Sequence, residues 1–249
     1  MYPYINIYTL NIPTYSLMLI AGFGLAYLAA AHSSKKEGLS TDHLLIIAAV
    51  CLGCAILGGK LLYLIVSFTL NELITIIRNG GFNQLMSGGL VFYGGLIGGI
   101  IGAFIGSKIA ATPLLSFERH IIPYLPLGYG LGRIGCFLAG CCYGISYGGF
   151  CSVQYPGEDI TRLPIQLIDA AISFIVCLVL LRLAKKTHKP FLLTLSYLII
   201  YSIQRFIIEF FRGDAVRGIY NGLSTSQWIS LALLSICVIL IMIKKKEQS

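Results

Sequence analysis

Seven stretches of this chain are long and apolar enough to cross a membrane, and nothing else in the sequence limits its fold as severely. A span needs about 20 mostly apolar residues to cover the hydrocarbon core. Tyr15–Ala31, Leu44–Phe68, Gly89–Ala110, Ile121–Leu138, Ile165–Leu183, Phe191–Phe211 and Ser224–Ile243 meet that requirement. Inside lipid every backbone donor and acceptor must be satisfied locally, which makes each of these a helix. The chain is 57% hydrophobic and only 11% charged, with a mean hydropathy of +0.83, too apolar for a water-soluble domain. The expected fold is all-α: a polytopic membrane bundle of about seven transmembrane helices in one domain, 1–249, with a small external loop region at about 139–164. Pro123 and Pro126 interrupt the fourth span, and broken segments in membrane proteins often border a cavity.

The net charge of +8 is a topology signal. Its basic residues form short clusters between apolar runs, so nucleic acid is not an expected partner. Lys35 and Lys36, Lys108 and Arg119, Arg182, Lys185, Lys186 and Lys189, and Lys244, Lys245 and Lys246 fall in alternate loops. Opposite them stand only Arg78, Arg162, Arg212 and Arg217. The positive-inside rule then puts the N-terminus outside and the C-terminus in the cytoplasm. Residues Met1 to Pro13 lack a basic start and a small-residue cleavage site, so the first span is expected to be retained. His32, His43, His120 and His188 fall on the cytoplasmic side, and a site on the outer face would have no histidine base.

Chemistry concentrates in the run from Gly128 to Gly144, where Arg133 and three cysteines sit among glycines and apolar residues. An arginine inside a membrane segment costs a few kcal/mol, about 3 on insertion scales, unless it meets a wet cavity, a counter-charge or an anionic ligand. A second group, Arg205, Glu209 and Arg212, has helical spacing of four and then three, which places all three on one inward stripe. The stripe is either an ion pair that fixes helix packing or an arginine held by Glu209 while it faces a phosphate. Gly94, Gly98 and Gly102, with Gly95 and Gly99, repeat at four-residue spacing, as expected of helices whose backbones touch. Tyr93 and Tyr15 lie near the outer ends of their spans, either as belt tyrosines or as phenols offered to a ligand.

Cys136, Cys141, Cys142 and Cys151 lie near or beyond the outer end of the fourth span. One or two structural disulfides are the simplest expectation for thiols on that side. No histidine joins them and their spacing matches no zinc motif, so no metal is expected. Cys51, Cys54, Cys177 and Cys237 read as small packing residues. The stretch from Cys151 to Asp159 reads as a short strand and turn leading to Pro164, which can open the fifth span. Gln166 and Gln227 sit near the outer starts of their spans, to cap a helix or to bind substrate.

Taken in order, these segments resemble the bacterial prolipoprotein diacylglyceryl transferases. The resemblance rests on Tyr15-Ser16-Leu17, Gly94-Gly95-Leu96-Ile97-Gly98, Gly132-Arg133-Ile134-Gly135 with Gly140 and Gly144, Pro164-Ile165-Gln166-Leu167, and the run from Arg205 to Arg212. It implies transfer of the diacylglyceryl group of phosphatidylglycerol to the lipobox cysteine of a preprolipoprotein. The products would be a thioether and glycerol phosphate, formed without cofactor or metal in the plasma (inner) membrane by a protein expected to act as a monomer. Arg133 and Arg205 would hold the phosphate, Glu209 would orient Arg205, and Tyr93 would stand among the catalytic groups. Tyr15, Gly94, Gly95, Cys136, Cys141, Gly144, Arg212 and Gln227 would line the substrate site. The chain departs from the family where Tyr93 replaces a histidine, Cys136 an asparagine and Cys141 a glutamate. A phenol, with an ordinary pKa of about 10, is a poor base. The departures keep three other readings open: a related phospholipid-group transferase with a different acceptor, a membrane thiol-disulfide oxidoreductase, and a non-catalytic lipid-binding protein.

Overall fold

The computed structural model describes residues 1–7, 10–81, 85, 89, 91–187, 191–213 and 218–247. His188, Lys189 and Arg217, part of the charge pattern above, and Leu90, at the start of the third span, lie outside the described residues. The helices are α1 (Thr14–Lys36), α2 (Thr41–Ser67), α3 (Leu70–Arg78), α4 (Phe92–Ile109), α5 (Glu118–Ile121), α6 (Leu125–Ala139), α7 (Ile165–Lys186), α8 (Leu192–Phe210) and α9 (Thr225–Glu247). Three two-stranded antiparallel ribbons complete the described elements: β1 (Tyr4–Ile7) with β2 (Leu10–Pro13), β3 (Val153–Gln154) with β4 (Thr161–Arg162), and β5 (Ile219–Tyr220) with β6 (Leu223–Ser224). Six helical segments among the described residues are long and apolar enough to cross a membrane, and α4 is a shorter apolar helix beside them. The protein is therefore an all-α polytopic bundle.

The fourth span differs most from its sequence expectation. It begins at Leu114 and runs to Ala139 as a series of short pieces: a 3-10 turn, α5, a second 3-10 turn at Ile122–Tyr124, and α6. Pro123 and Pro126 each remove a backbone donor, so a continuous ladder of i to i−4 bonds cannot form across them. Pro126 is instead accommodated in the first turn of α6, where the donor would be unused. The amphipathic α3 was not among the expected spans. Its capping box joins Thr69 to Glu72, with Glu72 Oε2 accepting from the Thr69 backbone at 2.8 Å.

The chain divides into two compact units. The unit Ser33–Phe117 is built on the pair α2 and α4. Gly94, Gly98, Gly102 and Gly106 form the contact face of α4. A Cβ at Gly94 would run into the Gly58 carbonyl and one at Gly98 into the Cys54 carbonyl. At Gly102 and Gly106 the nearest atoms would be 2.7 and 2.8 Å away. Gly95 and Gly99 lie off that line, with 3.4 and 3.6 Å of room. Tyr93 stands at the start of α4, 39% exposed.

The other unit holds Met1–His32 and Glu118–Ser249. Its core is Val176, Leu180 and Ala184 of α7 against Leu193 of α8, with Tyr197 and Ile200 packed on them. Charged side chains tie off the helix ends at this level. Buried Glu118 accepts from the Phe191 and Thr194 backbone at 2.5 and 2.9 Å and from the Thr194 hydroxyl at 2.6 Å, a carboxylate at the N-terminus of α8. Arg119 donates twice to the Ala184 carbonyl near the end of α7. The glycines of α6 set its distance from two neighbours. A Cβ at Gly135 would lie 2.9 Å from Met18 of α1, and one at Gly130 would lie 2.6 Å from the Phe174 ring of α7.

Candidate functional site

That close packing brings α6 against α7 so that Arg133, 7% exposed, meets Asp169, 1% exposed. Arg133 Nε donates to Asp169 Oδ2 at 2.5 Å, and the Tyr129 hydroxyl, one turn earlier on α6, donates to the same oxygen at 2.9 Å. Asp169 Oδ1 accepts from Gln204 Nε2 of α8 at 2.7 Å, and Gln204 also donates to Ser173 at 2.9 Å. Both oxygens of the Asp169 carboxylate thus accept from donors on α6 and α8, and its pairing with Arg133 fixes the orientation of that guanidinium. Arg133 Nη2 is buried with no hydrogen-bond partner among the described residues. A buried guanidinium nitrogen without a partner is costly unless a ligand accepts from it.

One helix away, Arg205 donates to Glu209 at 2.8 Å and to the Ser226 hydroxyl of α9 at 3.0 Å. Arg212 lies 3.6 Å from the same Glu209 oxygen. The Tyr129 ring links the two groups. It lies 5.5 Å from the Arg133 guanidinium carbon and meets Tyr201 of α8 edge-on at 5.7 Å, within electrostatic reach of both Arg133 and Arg205. Three guanidiniums, Arg133, Arg205 and Arg212, thus face two carboxylates, Asp169 and Glu209.

The loop after α6 closes over the same end of the unit. Gly140 takes the left-handed conformation (φ 74°) and ends the helix, with the Cys141 backbone donating to the Cys136 carbonyl at 3.1 Å. Gly144 lies in a seam with Arg212, where the Ile145 amide donates to the Phe211 carbonyl and the Gly213 amide to the Tyr143 carbonyl, each at 3.0 Å. A Cβ at Gly144 would lie 2.5 Å from the Leu163 carbonyl oxygen, so no larger residue fits the seam. Arg162 lies over the Tyr143 ring at 4.3 Å and pairs with Glu158 at 2.7 Å, which holds the Glu158 carboxyl below the usual carboxylate range. Gln166 is fully buried; it donates to the Cys141 carbonyl at 2.7 Å and accepts from the Tyr155 hydroxyl at 2.9 Å.

All eight cysteines are free thiols, so the disulfides expected near the outer end of the fourth span are not formed. Cys136, Cys141 and Cys142 instead converge, their sulfurs all within 4.8 Å of one another, while Cys151 is not part of the cluster. Pairing two of the three would leave the third unpaired, and Cys141 with Cys142 would close a strained ring of adjacent residues. Cys142, at φ 58°, is drawn far toward its thiolate by hydrogen bonds from the Cys136 and Cys141 thiols, with Arg212 and Arg133 adding to the effect against the cost of burial. Tyr15 lies within electrostatic reach of Arg133 and all three thiols.

Arg133, Arg205, Glu209, Arg212, Tyr15, Cys136, Cys141 and Gly144 therefore belong to one compact unit, together with Gln227. Gln227 is taken up in capping α9: its backbone N–H donates to Ser224 Oγ at 3.2 Å, and its side-chain Oε1 accepts from the Ser224 backbone at 2.9 Å. Tyr93, Gly94 and Gly95 belong to the other unit, where Gly94 is used in packing. Sequence reasoning missed Asp169, Tyr129 and Gln204. The signal for Asp169 was available: it is the one acid in the run from Ile165 to Leu183, and an ionisable residue inside a span needs a partner.

The fold and the site define a class: a multi-pass helical membrane protein with a buried, arginine-rich centre. The chain matches the family model for prolipoprotein diacylglyceryl transferase over residues 3–243, and it belongs to that family. It is 36% identical over 231 residues to the phosphatidylglycerol–prolipoprotein diacylglyceryl transferase of Clostridium tetani, covering 91% of this chain and 90% of that one. To enzyme 2 of the same name from Clostridium perfringens it is 33% identical over 236 residues, covering 92% and 90%. The enzyme of Idiomarina loihiensis is 29% identical over 248 residues, covering 96% and 90%.

Proposed function

We propose that this chain is a phosphatidylglycerol-dependent transferase, which moves the diacylglyceryl group to the thiol of a prolipoprotein lipobox cysteine. The thioether forms as glycerol phosphate leaves. The observation that carries the reading is Arg133, held by Asp169 and buried, whose Nη2 has no hydrogen-bond partner among the described residues, in the same unit as Arg205 and Arg212 on Glu209. In phosphoryl-oxygen departure, negative charge grows on the leaving phosphate, and preorganised donors in a dry site stabilise it most. Arg133 and Arg205 take that role, Asp169 and Glu209 position them, and Arg212 and the Gly144 seam hold the loop that covers the phosphate. Tyr15 contacts the glyceryl group or the acceptor. The basic-loop pattern supports a site open to the outer face of a bacterial plasma membrane, where both substrates are found, and the protein works there as a monomer.

The test is incubation of the purified protein with labelled phosphatidylglycerol and a lipobox peptide. Labelled thioether and free glycerol phosphate in equal amounts are expected. Bound phospholipid with neither product would refute the transferase reading and leave a lipid-binding protein.

A further inference from the structure

The three thiols raise a question that the arginines do not answer: which group makes the acceptor thiolate. Alkylation of a thiol needs the sulfur deprotonated, and no histidine stands in this unit's site. Cys136 is buried at the end of α6, Cys142 is half-buried, and Cys141 is exposed, so the cluster has a closed back and one open side. Sulfurs at tetrahedral positions around a metal about 2.3 Å away would be about 3.8 Å apart, and these three already lie within 4.8 Å of one another. Their backbone is held in place. Fully buried Gln166 fixes the Cys141 carbonyl, Tyr155 fixes Gln166, and the left-handed Gly140 and Cys142 set the direction of the turn. Three thiolates around a divalent cation carry one net negative charge. The nine-tenths-buried Arg133 side chain, with its partnerless Nη2, acts on Cys136 and Cys142 electrostatically.

We propose that Cys136, Cys141 and Cys142 hold a thiophilic divalent cation of the zinc class, whose open fourth position takes the acceptor thiol. Three protein ligands with one open position is the arrangement of catalytic rather than structural zinc. This inference rests on the transferase reading and supplies the activation step that reading lacks. A coordinated thiol gives up its proton to water. The sulfur then forms a bond to the terminal glyceryl carbon, the bond from that carbon to the phosphate oxygen breaks, and its electron pair leaves with glycerol phosphate on the arginines. Nothing is oxidised or reduced.

The test uses the full-length protein in detergent, reduced and kept anaerobic, stripped with chelator and reloaded with zinc or cobalt. Binding of one cation per chain is expected. Cobalt should give thiolate charge-transfer absorption that changes when lipobox peptide is added, but not when its cysteine is replaced by serine. Cys141→Ser and Cys142→Ser should each weaken cation binding by about a hundredfold or more, whereas Cys151→Ser should bind as the parent does. Stripped protein should lose at least about nine-tenths of its transfer rate, and stoichiometric zinc should restore it. Stripped protein that transfers at the loaded rate, a cobalt spectrum indifferent to peptide, or unchanged binding in both serine variants would overturn the cation site. A cation bound with the peptide response intact but no lipid transfer would support the site and refute the transferase reading instead.

Discussion

Replacing Asp169 by asparagine tests the positioning of Arg133 with almost no change in volume. In the parent, both oxygens of this 1%-exposed carboxylate accept: Oδ2 from Arg133 and Tyr129, Oδ1 from Gln204. An asparagine offers one accepting oxygen and one NH2 group, so a donor must face a donor on one side. The Arg133 charge also loses its counter-ion. Breaking a buried pair by removing one partner costs about 3–5 kcal/mol in soluble proteins, while hydrogen bonds between membrane helices average only about 0.6 kcal/mol. With one charge pair and two further bonds affected, a loss of about 3 kcal/mol is expected, or roughly 6–12 °C in unfolding midpoint for a chain of this size. Thermal unfolding in detergent measures it. The double variant Asp169→Leu with Arg133→Met should recover most of that loss, because no charge is left stranded. Transfer activity should stay absent in the double variant, since Arg133 is gone. An Asp169→Asn midpoint within about 2 °C of the parent, corresponding to less than about 1 kcal/mol, would refute the argument that this carboxylate holds Arg133.

In α4, Gly98→Ala should destabilise by about 1–3 kcal/mol because its new methyl meets the Cys54 carbonyl. Gly99→Ala, with 3.6 Å to spare, should fall within about 0.5 kcal/mol of the parent, and the same unfolding assay compares them. Glu118→Ala removes the acceptor at the start of α8 and should cost about 1–2 kcal/mol, with faster amide exchange at Phe191 and Thr194. The Glu158 carboxyl is held below its ordinary value by Arg162, so its contribution to the loop at 139–164 is complete above the ordinary carboxylate range. That contribution is lost as pH falls through the lowered value. Proteolysis of the loop should rise on acidification to below about pH 4, and Glu158→Gln should remove that pH dependence.

Much of this architecture was legible because a membrane leaves few choices. Length and hydropathy place the helices, and the glycine stripe of α4 does pack against a neighbouring backbone. The stripe of Arg205, Glu209 and Arg212 could be read from helical spacing alone, since all three partners lie on one helix. Asp169 was harder, because its partner lies on a different helix and spacing along the chain says nothing about which helices touch. The thiol cluster was missed for a similar reason. Gly140 ends α6 and the turn after it carries Cys141 and Cys142 back toward Cys136, a return that depends on backbone conformation. The fragmentation of the fourth span was visible in Pro123 and Pro126, but its true start at Leu114 was hidden by the polar residues Glu118 and Arg119, which serve as caps inside the protein.

The central claim is that guanidiniums from two helices act on one anion, and phosphatidylglycerol binding by Arg133→Gln, Arg205→Gln and the double variant tests it most directly. The account predicts that each single change weakens binding by about tenfold or more and that the double change costs clearly less than the product of the two, because groups sharing one ligand are coupled. Losses that multiply independently, or single variants that bind as tightly as the parent, would contradict it.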